Sequence, residues 1–354
     1  MAIALRQAER GRGRTSPNPV VGAVVVSPDG VIVGRGHHEV AGGPHAEVRA
    51  LADAGAWARG ATLYCTLEPC CHWGRTGPCA ERIVEAGVAR VVAAVEDPNP
   101  QVGGRGFQYL RDHGVSVEVG LGRLAALTQN APFFTAITRG RPFVTMKIAL
   151  SLDGRVAAAG GRPVHLTGPE ADRLTQLERA EVDAIAVGSG TVLADDPELT
   201  ARGAYRYRPL MRVLFDRRLR TPPAARVLST SGAGPVIIVS TAADVGAQPT
   251  RARALEAAGA EILAVEGGVA GALAALGRRG VQSLVIEGGP ALHLAVWRAQ
   301  VVDRVRLWIT PLPLGAEGVR WLPAQFMSIG QLFACRTECH GADVLVEGHV
   351  HRID

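Results

Sequence analysis

Four of the six cysteines, Cys65, Cys70, Cys71 and Cys79, fall within fifteen residues, and a His45-Ala46-Glu47 triplet stands upstream of them. Six cysteines in 354 residues are too few for a disulfide framework. In a reducing compartment their clustering points to a metal first. His45, Cys70 and Cys79 make a three-ligand set that leaves the fourth position of tetrahedral zinc open, as catalytic zinc requires. Ligands so far apart in sequence serve one ion only on a folded scaffold. With 47% hydrophobic and 20% charged residues the chain has the material for one.

The open position would hold a water whose pKa the metal lowers. Glu47 stands two residues from His45. In mid-helix that spacing turns the side chains apart, but at a helix start both can face an ion placed off its end. Glu47 is then the candidate general acid/base, carrying a proton to a leaving amine. His-x-Glu followed by Glu68-Pro69-Cys70 and Pro78-Cys79 is the pattern of zinc nucleobase deaminases. The competing reading is a structural zinc site, which would more naturally show four protein ligands. Cys65 reads as a buried strand thiol, and Cys71 cannot easily share the geometry of its neighbour Cys70. His72 is either a substrate contact or an exposed loop histidine. Asn18, between Pro17 and Pro19, either reads a pyrimidine edge or forms a turn.

Length predicts two domains. Strand-like segments at 20–26, 31–35, 61–67 and 90–95 alternate with helical ones at 44–51, 78–86 and 121–129. A Pro/Gly-rich stretch at 131–142 predicts the seam, giving domains 1–141 and 142–354. The second half repeats the alternation. Its strands are expected at 143–151, 184–187, 211–216, 235–240, 261–265, 283–287 and 305–309. Its helices are expected at 170–181, 250–258, 270–278 and 290–299. The net charge of +5 is mild. The densest basic run, Arg217-Arg218-Leu219-Arg220, is too short for a nucleic-acid tail. A phosphorylated small substrate fits that charge, with no nucleic acid required. The longest apolar run, 20–26, is too short to span a membrane. No apolar leader core follows Met1, so a cytoplasmic protein is expected. Of 38 Lys+Arg residues, only Lys147 is a lysine.

Most zinc deaminases space the two cysteines as P-C-x-x-C. Here the longer Cys70-Cys71-His72-Trp73-Gly74-Arg75-Thr76-Gly77-Pro78-Cys79 resembles the pyrimidine deaminase of riboflavin biosynthesis, as does Asp97-Pro98-Asn99-Pro100-Gln101-Val102 with Gly103 to Gly106. The second half carries Lys147-Ile148-Ala149-Leu150-Ser151-Leu152-Asp153-Gly154, then Thr191-Val192-Leu193-Ala194-Asp195-Asp196-Pro197, then Glu287-Gly288-Gly289-Pro290. Taken alone, Gly-Gly-Pro is either a phosphate-approach turn or a plain tight turn. The Asp195-Asp196 pair is either a metal site or a capped turn. Together these segments resemble the reductase half of the bifunctional riboflavin-biosynthesis deaminase/reductases.

That resemblance implies a cytidine-deaminase-like three-layer α/β/α domain with one zinc, then a dihydrofolate-reductase-like α/β domain using NADPH. It implies hydrolytic deamination of 2,5-diamino-6-(5-phosphoribosylamino)pyrimidin-4-one, then reduction of the ribosyl side chain to ribityl. Implied cofactor contacts are Ala149, His165, Thr191 and Asp195, with Gly289, Pro290, Ala291, Leu292, His293, Leu294 and Ala295 against the phosphates. Implied substrate contacts are Asn18, Lys147, Arg179, Leu199, Arg202 and Glu287. By sequence alone Arg179 would read as a solvated helix face. A homo-oligomer, dimer or tetramer, is expected. One departure stands out: where many members carry Ser-x-Trp, this chain has Pro163-Val164-His165. Two other readings compete, a tRNA or nucleoside deaminase and a non-catalytic zinc-stabilised binding protein. A deaminase with a weakened reductase half is a third.

Overall fold

The computed structural model describes residues 1–72, 77–100, 102–322 and 331–352. They divide into two compact units, Met1–Gly140 and Arg141–Arg352. Segment 73–76 of the long cysteine loop and Gln101 lie outside the described residues.

The first unit is built on a five-stranded sheet in the order Ile32–His37, Gly22–Val26, Thr62–Cys65, Arg90–Ala93, Ser116–Val119. The first three strands run antiparallel and the last three parallel. Gly22 pairs with His37 and Ala23 with Gly36, so Gly22 and Gly36 face opposite sides of the sheet. A Cβ on Gly22 would come within 2.0 Å of the Ala4 carbonyl, in helix Ala2–Glu9. One on Gly36 would come within 2.2 Å of the Ala46 carbonyl, in helix Ala46–Ala54. Each face is thus covered by a helix at close quarters, and the unit has three layers. Ala23, Val25, Leu63, Val91, Ala50 and Leu110 fill the core between sheet and helices.

The second unit holds a nine-stranded sheet. Its order is Ala260–Ala264, Val236–Ser240, Met211–Phe215, Ala184–Gly188, Ser283–Ile286, Phe143–Leu150, Arg304–Ile309, Asp343–His349, Phe333–His340. The first seven are mutually parallel, and the last two add antiparallel. Among the seven parallel strands, Ala184–Gly188, Val236–Ser240 and Ser283–Ile286 read as near-continuous apolar runs, as strands covered on both faces do. The final hairpin and the short strand Ser116–Val119 escape sequence reading. Every residue of Phe333–His340 but the last is exposed, so no buried alternation marks it.

Stretch 131–142, expected as a seam, is mostly the helix Ala131–Arg139. Pro132 sits in its first turn, where a missing N–H costs nothing, and Gly140 closes it at φ 64°. Both residues punctuate a helix there and not a linker. No helix among the described residues is long and apolar enough to cross a membrane.

The glycine contacts predict a measurable cost. Gly36→Ala forces helix Ala46–Ala54 off the sheet and should destabilise the first unit by about 1–3 kcal/mol. A lowered denaturation midpoint for zinc release, with the second unit's unfolding unchanged, is the expected result.

Candidate active sites

The helix that lies against Gly36 carries the first site at its start. His45 is its cap residue, in extended conformation, and Glu47 is in its first turn. Cys79 opens a second helix, Cys79–Glu85, behind Pro78. Cys70 sits in the loop after strand Thr62–Cys65. Two helix starts and one loop therefore converge. His45 Nδ1 lies 3.2 Å from Cys79 Sγ and 3.5 Å from Cys70 Sγ. All three ligand atoms fall within 4.8 Å of one another. Tetrahedral zinc with ordinary bond lengths places N and S about 3.5 Å apart and two sulfurs about 3.8 Å apart. The donor set fits zinc in both chemistry and spacing. Cys65 and Cys71 stand apart from it: Cys65 is fully buried in the strand, and Cys71 packs on the core.

Electrostatics around the ligands suit a cation. The Cys79 thiol hydrogen-bonds Cys70 and, against burial and with help from His45, holds Cys70 down to about 4. Burial pushes the Glu47 carboxyl up to about 7 against the pull of His45. Glu47 is 3% exposed and hydrogen-bonds Cys79, so it faces the ligand cluster without belonging to it. A buried carboxyl able to take and return a proton is what a general acid/base needs.

Asn18 reaches this site through a residue that sequence reading passed over. His38 is 2% exposed and its ring lies edge-on to His45, with centroids 5.4 Å apart. His38 Nδ1 is 3.1 Å from the Pro44 carbonyl, which can only accept, so the ring proton sits there. Burial lowers the His38 pKa and keeps the ring neutral. Nε2 then accepts from Asn18 Nδ2 at 3.1 Å. His38 follows a strand like many histidines, and only its neighbours in space mark it. His72 is half-buried, with a buried Nδ1 that has no hydrogen-bond partner among the described residues.

The second unit encloses a cavity of about 660 Å³. Gly188, Glu287 and the 147–149 segment place it at the carboxyl ends of parallel strands, the position where open α/β sheets hold ligands. Of the residues expected to bind there, Lys147, Ala149, His165, Arg179, Thr191, Asp195, Arg202 and Glu287 line it, as do Gly289, Pro290, Ala291 and Leu292. Arg179 is no solvated helix face. Its guanidinium grips Glu287 with two hydrogen bonds, 2.9 and 2.6 Å, and donates to the Thr200 carbonyl at 3.1 Å. Burial would raise the Glu287 carboxyl, but Arg179 and Lys147 hold it down to about 2. The Lys147 ammonium makes no hydrogen bond among the described residues and borders the cavity.

Four expected contacts lie elsewhere. Helix Pro290–Arg298 turns by about 100° per residue, so a run of seven cannot face one cavity. Its first turn does. His293 is fully buried behind it, accepting from Trp321 Nε1 at 2.9 Å and facing the Ile286 carbonyl at 3.3 Å. Leu294 and Ala295 do not line the cavity. Leu199 is 3% exposed, at φ 54°, in a core cluster. His165 Nε2 lies 2.7 Å from Asp172, which also accepts from Thr167 at 2.5 Å. The Asp195-Asp196 pair forms a turn: Asp196 ends helix Ser189–Asp195 in left-handed conformation and accepts from the Arg226 N–H.

Both units find counterparts among known proteins. Residues 142–340 match the RibD C-terminal domain model, and residues 1–95 match the cytidine and deoxycytidylate deaminase zinc-binding region. The chain is 42% identical over 340 residues to riboflavin biosynthesis protein RibD of Escherichia coli, covering 91% of this chain and 90% of that one. It is 40% identical over 320 residues to its namesake in Aquifex aeolicus, covering 90% and 88%. The solved structure of Acinetobacter baumannii RibD superposes with a TM-score of 0.86 at 34% identity, over 99% of this chain and 98% of that one. A Thermotoga maritima structure described as a diaminohydroxyphosphoribosylaminopyrimidine deaminase/5-amino-6-(5-phosphoribosylamino)uracil reductase gives 0.83 at 32%, over 99% and 97%. With a zinc-type ligand cluster in one unit and a strand-end cavity in the other, the chain belongs to the RibD family.

Proposed function

We infer that this chain is a bifunctional enzyme of riboflavin biosynthesis, a zinc deaminase joined to a reductase. The observation that carries the reading is the coexistence of the His45/Cys70/Cys79 cluster facing buried Glu47 with the Arg179–Glu287 cavity. The first unit takes 2,5-diamino-6-(5-phosphoribosylamino)pyrimidin-4-one and releases its 2-amino group as ammonia. The second reduces the ribosyl side chain of the product to ribityl.

One zinc per chain would be held by His45, Cys70 and Cys79, and when bound would supply an activated water near neutral pH. Glu47 is the group that would take up a proton at its buried carboxylate and return it to the leaving amine. Asn18, fixed by His38, orients the pyrimidine edge. In the second unit a bound NADPH would supply the hydride. The first turn at Gly289 to Leu292, with Thr191 and Asp195, forms its cradle. Gly288 packs closely behind that turn: a Cβ there would come within 2.8 Å of Leu292 Cδ2 and 3.3 Å of the Gly188 nitrogen. Arg202 and Lys147 hold the phosphorylated sugar chain, while Glu287, already ionised and clamped by Arg179, orients its hydroxyls. The substrate is a small molecule and not nucleic acid. A cytoplasmic homo-oligomer, dimer or tetramer, completes the proposal.

Three variants test it. Glu47→Gln should lower ammonia release by about 10²–10⁴-fold with one zinc per chain retained, measured by metal analysis on the assayed sample. Deamination at the wild-type rate would remove Glu47 from its role. Cys79→Ser should lower zinc content together with ammonia release, and leave NADPH oxidation on the deaminated substrate intact. Lys147→Arg should do the reverse, cutting NADPH oxidation about tenfold or more, because a planar guanidinium cannot stand in for a compact ammonium at a fitted site. Parallel assays on the undeaminated and deaminated substrates separate the two activities. No NADPH consumption with the deaminated substrate in the wild-type protein would sink the reductase half.

A further inference from the structure

Glu68 is 3% exposed and lies two residues before the ligand Cys70. Four backbone N–H groups converge on its carboxylate. Oε1 accepts from Gly106 at 2.9 Å and Phe107 at 3.2 Å. Oε2 accepts from Gly104 at 3.0 Å and Asp97 at 3.1 Å. Three of these donors belong to the start of helix Arg105–Asp112, whose cap residue, Gly104, has no side chain to offer. A helix start leaves its first N–H groups without partners and gathers positive partial charge, so an anion from elsewhere in the chain completes it. The fourth donor, Asp97, stands at the far end of the loop. One carboxylate therefore gathers both ends of segment 97–107.

That segment lies directly on the ligand loop. A Cβ on Gly106 would come within 2.0 Å of the Pro69 carbonyl. Asp97 is buried, and the charges of Cys70 and His72 both act on it. Asp97 Oδ1 in turn accepts from the Asn99 N–H at 2.8 Å. The backbone packed on Pro69, next to the ligand Cys70, thus takes its shape from a group that is itself no metal ligand.

We propose that Glu68 is a positioning residue of the deaminase site. Its carboxylate fixes loop 97–107 against the Cys70 loop and thereby sets how tightly the pyrimidine substrate is held, without contributing to the metal. Two carboxylate oxygens, each accepting from two N–H groups, match the four donors that converge here. In glutamine the amide nitrogen would face two of those N–H groups and leave them buried without partners. Aspartate keeps the charge but falls short by one methylene. The proposal rests on the deaminase reading of the zinc cluster.

The test compares Glu68→Gln, Glu68→Asp and Gly106→Ala in the full-length protein, with ammonia release and zinc per chain measured on the same samples. Glu68→Gln should raise KM for the diaminopyrimidine phosphate about tenfold or more, while kcat stays within about twofold and zinc stays at one per chain. Glu68→Asp should recover part of that loss. Gly106→Ala keeps the carboxylate but drives the loop off Pro69, and should show the same rise in KM. An unchanged KM in Glu68→Gln overturns the proposal. So does zinc loss in step with activity, since Glu68 would then belong to the metal scaffold. Amide exchange on the wild-type chain decides the matter if Glu68→Gln does not fold. The N–H groups of Asp97, Gly104, Gly106 and Phe107 should exchange as slowly as those of strand Thr62–Cys65, and exchange at open-loop rates overturns the proposal. Absence of ammonia release by the wild-type protein would instead overturn the deaminase reading, and the exchange pattern is read independently of it.

Discussion

The distance at which a helix can lie on strand Ile32–His37 governs the first unit. Gly34 and Gly36 present no side chains to helix Ala46–Ala54, and its backbone comes to where their Cβ atoms would be. That approach fixes the position of the helix start, and the helix start holds His45 and Glu47. Cys79 reaches the same point from another helix start and Cys70 from a loop. Metal geometry tolerates errors of only a few tenths of an ångström. Two missing side chains on a strand are therefore as necessary to the site as the ligands themselves.

The second unit solves a different problem, that of keeping charge inside an apolar sheet protein. Arg179 and Glu287 come from a helix and a strand end and meet in a two-pronged pair, both nearly buried. Such a pair contributes little net stability, but removing one partner strands the other. Its value here is directional. Each group is held at one orientation beside the cavity, with Lys147 nearby on the neighbouring strand. The seven parallel strands bring these residues together because their carboxyl ends share one edge of the sheet.

The parts of this architecture that were legible in the sequence are the locally encoded ones. His-x-Glu and the two Pro-Cys pairs are short motifs, and their chemistry follows from residue type. The apolar strands of the second unit announce themselves by composition. What sequence reading missed depends on contacts between distant segments. His38 matters because Asn18 and His45 lie on either side of it. The partners of Glu68 are backbone N–H groups, which leave no trace in residue identity. The run from Gly289 to Ala295 was read as one contact strip. Helical rotation splits it, turning His293 into the interior toward Trp321. Leu199 was assigned to substrate, yet its side chain belongs to the core.

The bond between Asn18 and His38 has a chemical polarity. Asn18 spends its amide nitrogen on a neutral ring nitrogen, and that ring nitrogen is an acceptor because the Pro44 carbonyl has claimed the proton on the other side. The amide oxygen is what Asn18 has left to offer. An asparagine is ordinarily ambivalent, able to turn over and present either group. This one cannot do so without losing its partner, so it reads in one direction only. Under the function proposed above, it would accept from a ring edge bearing N–H and turn away a ring edge bearing a lone pair. A chain of three residues, none of them a zinc ligand, thereby gives the site a sense of hydrogen-bond donor against acceptor before any substrate arrives.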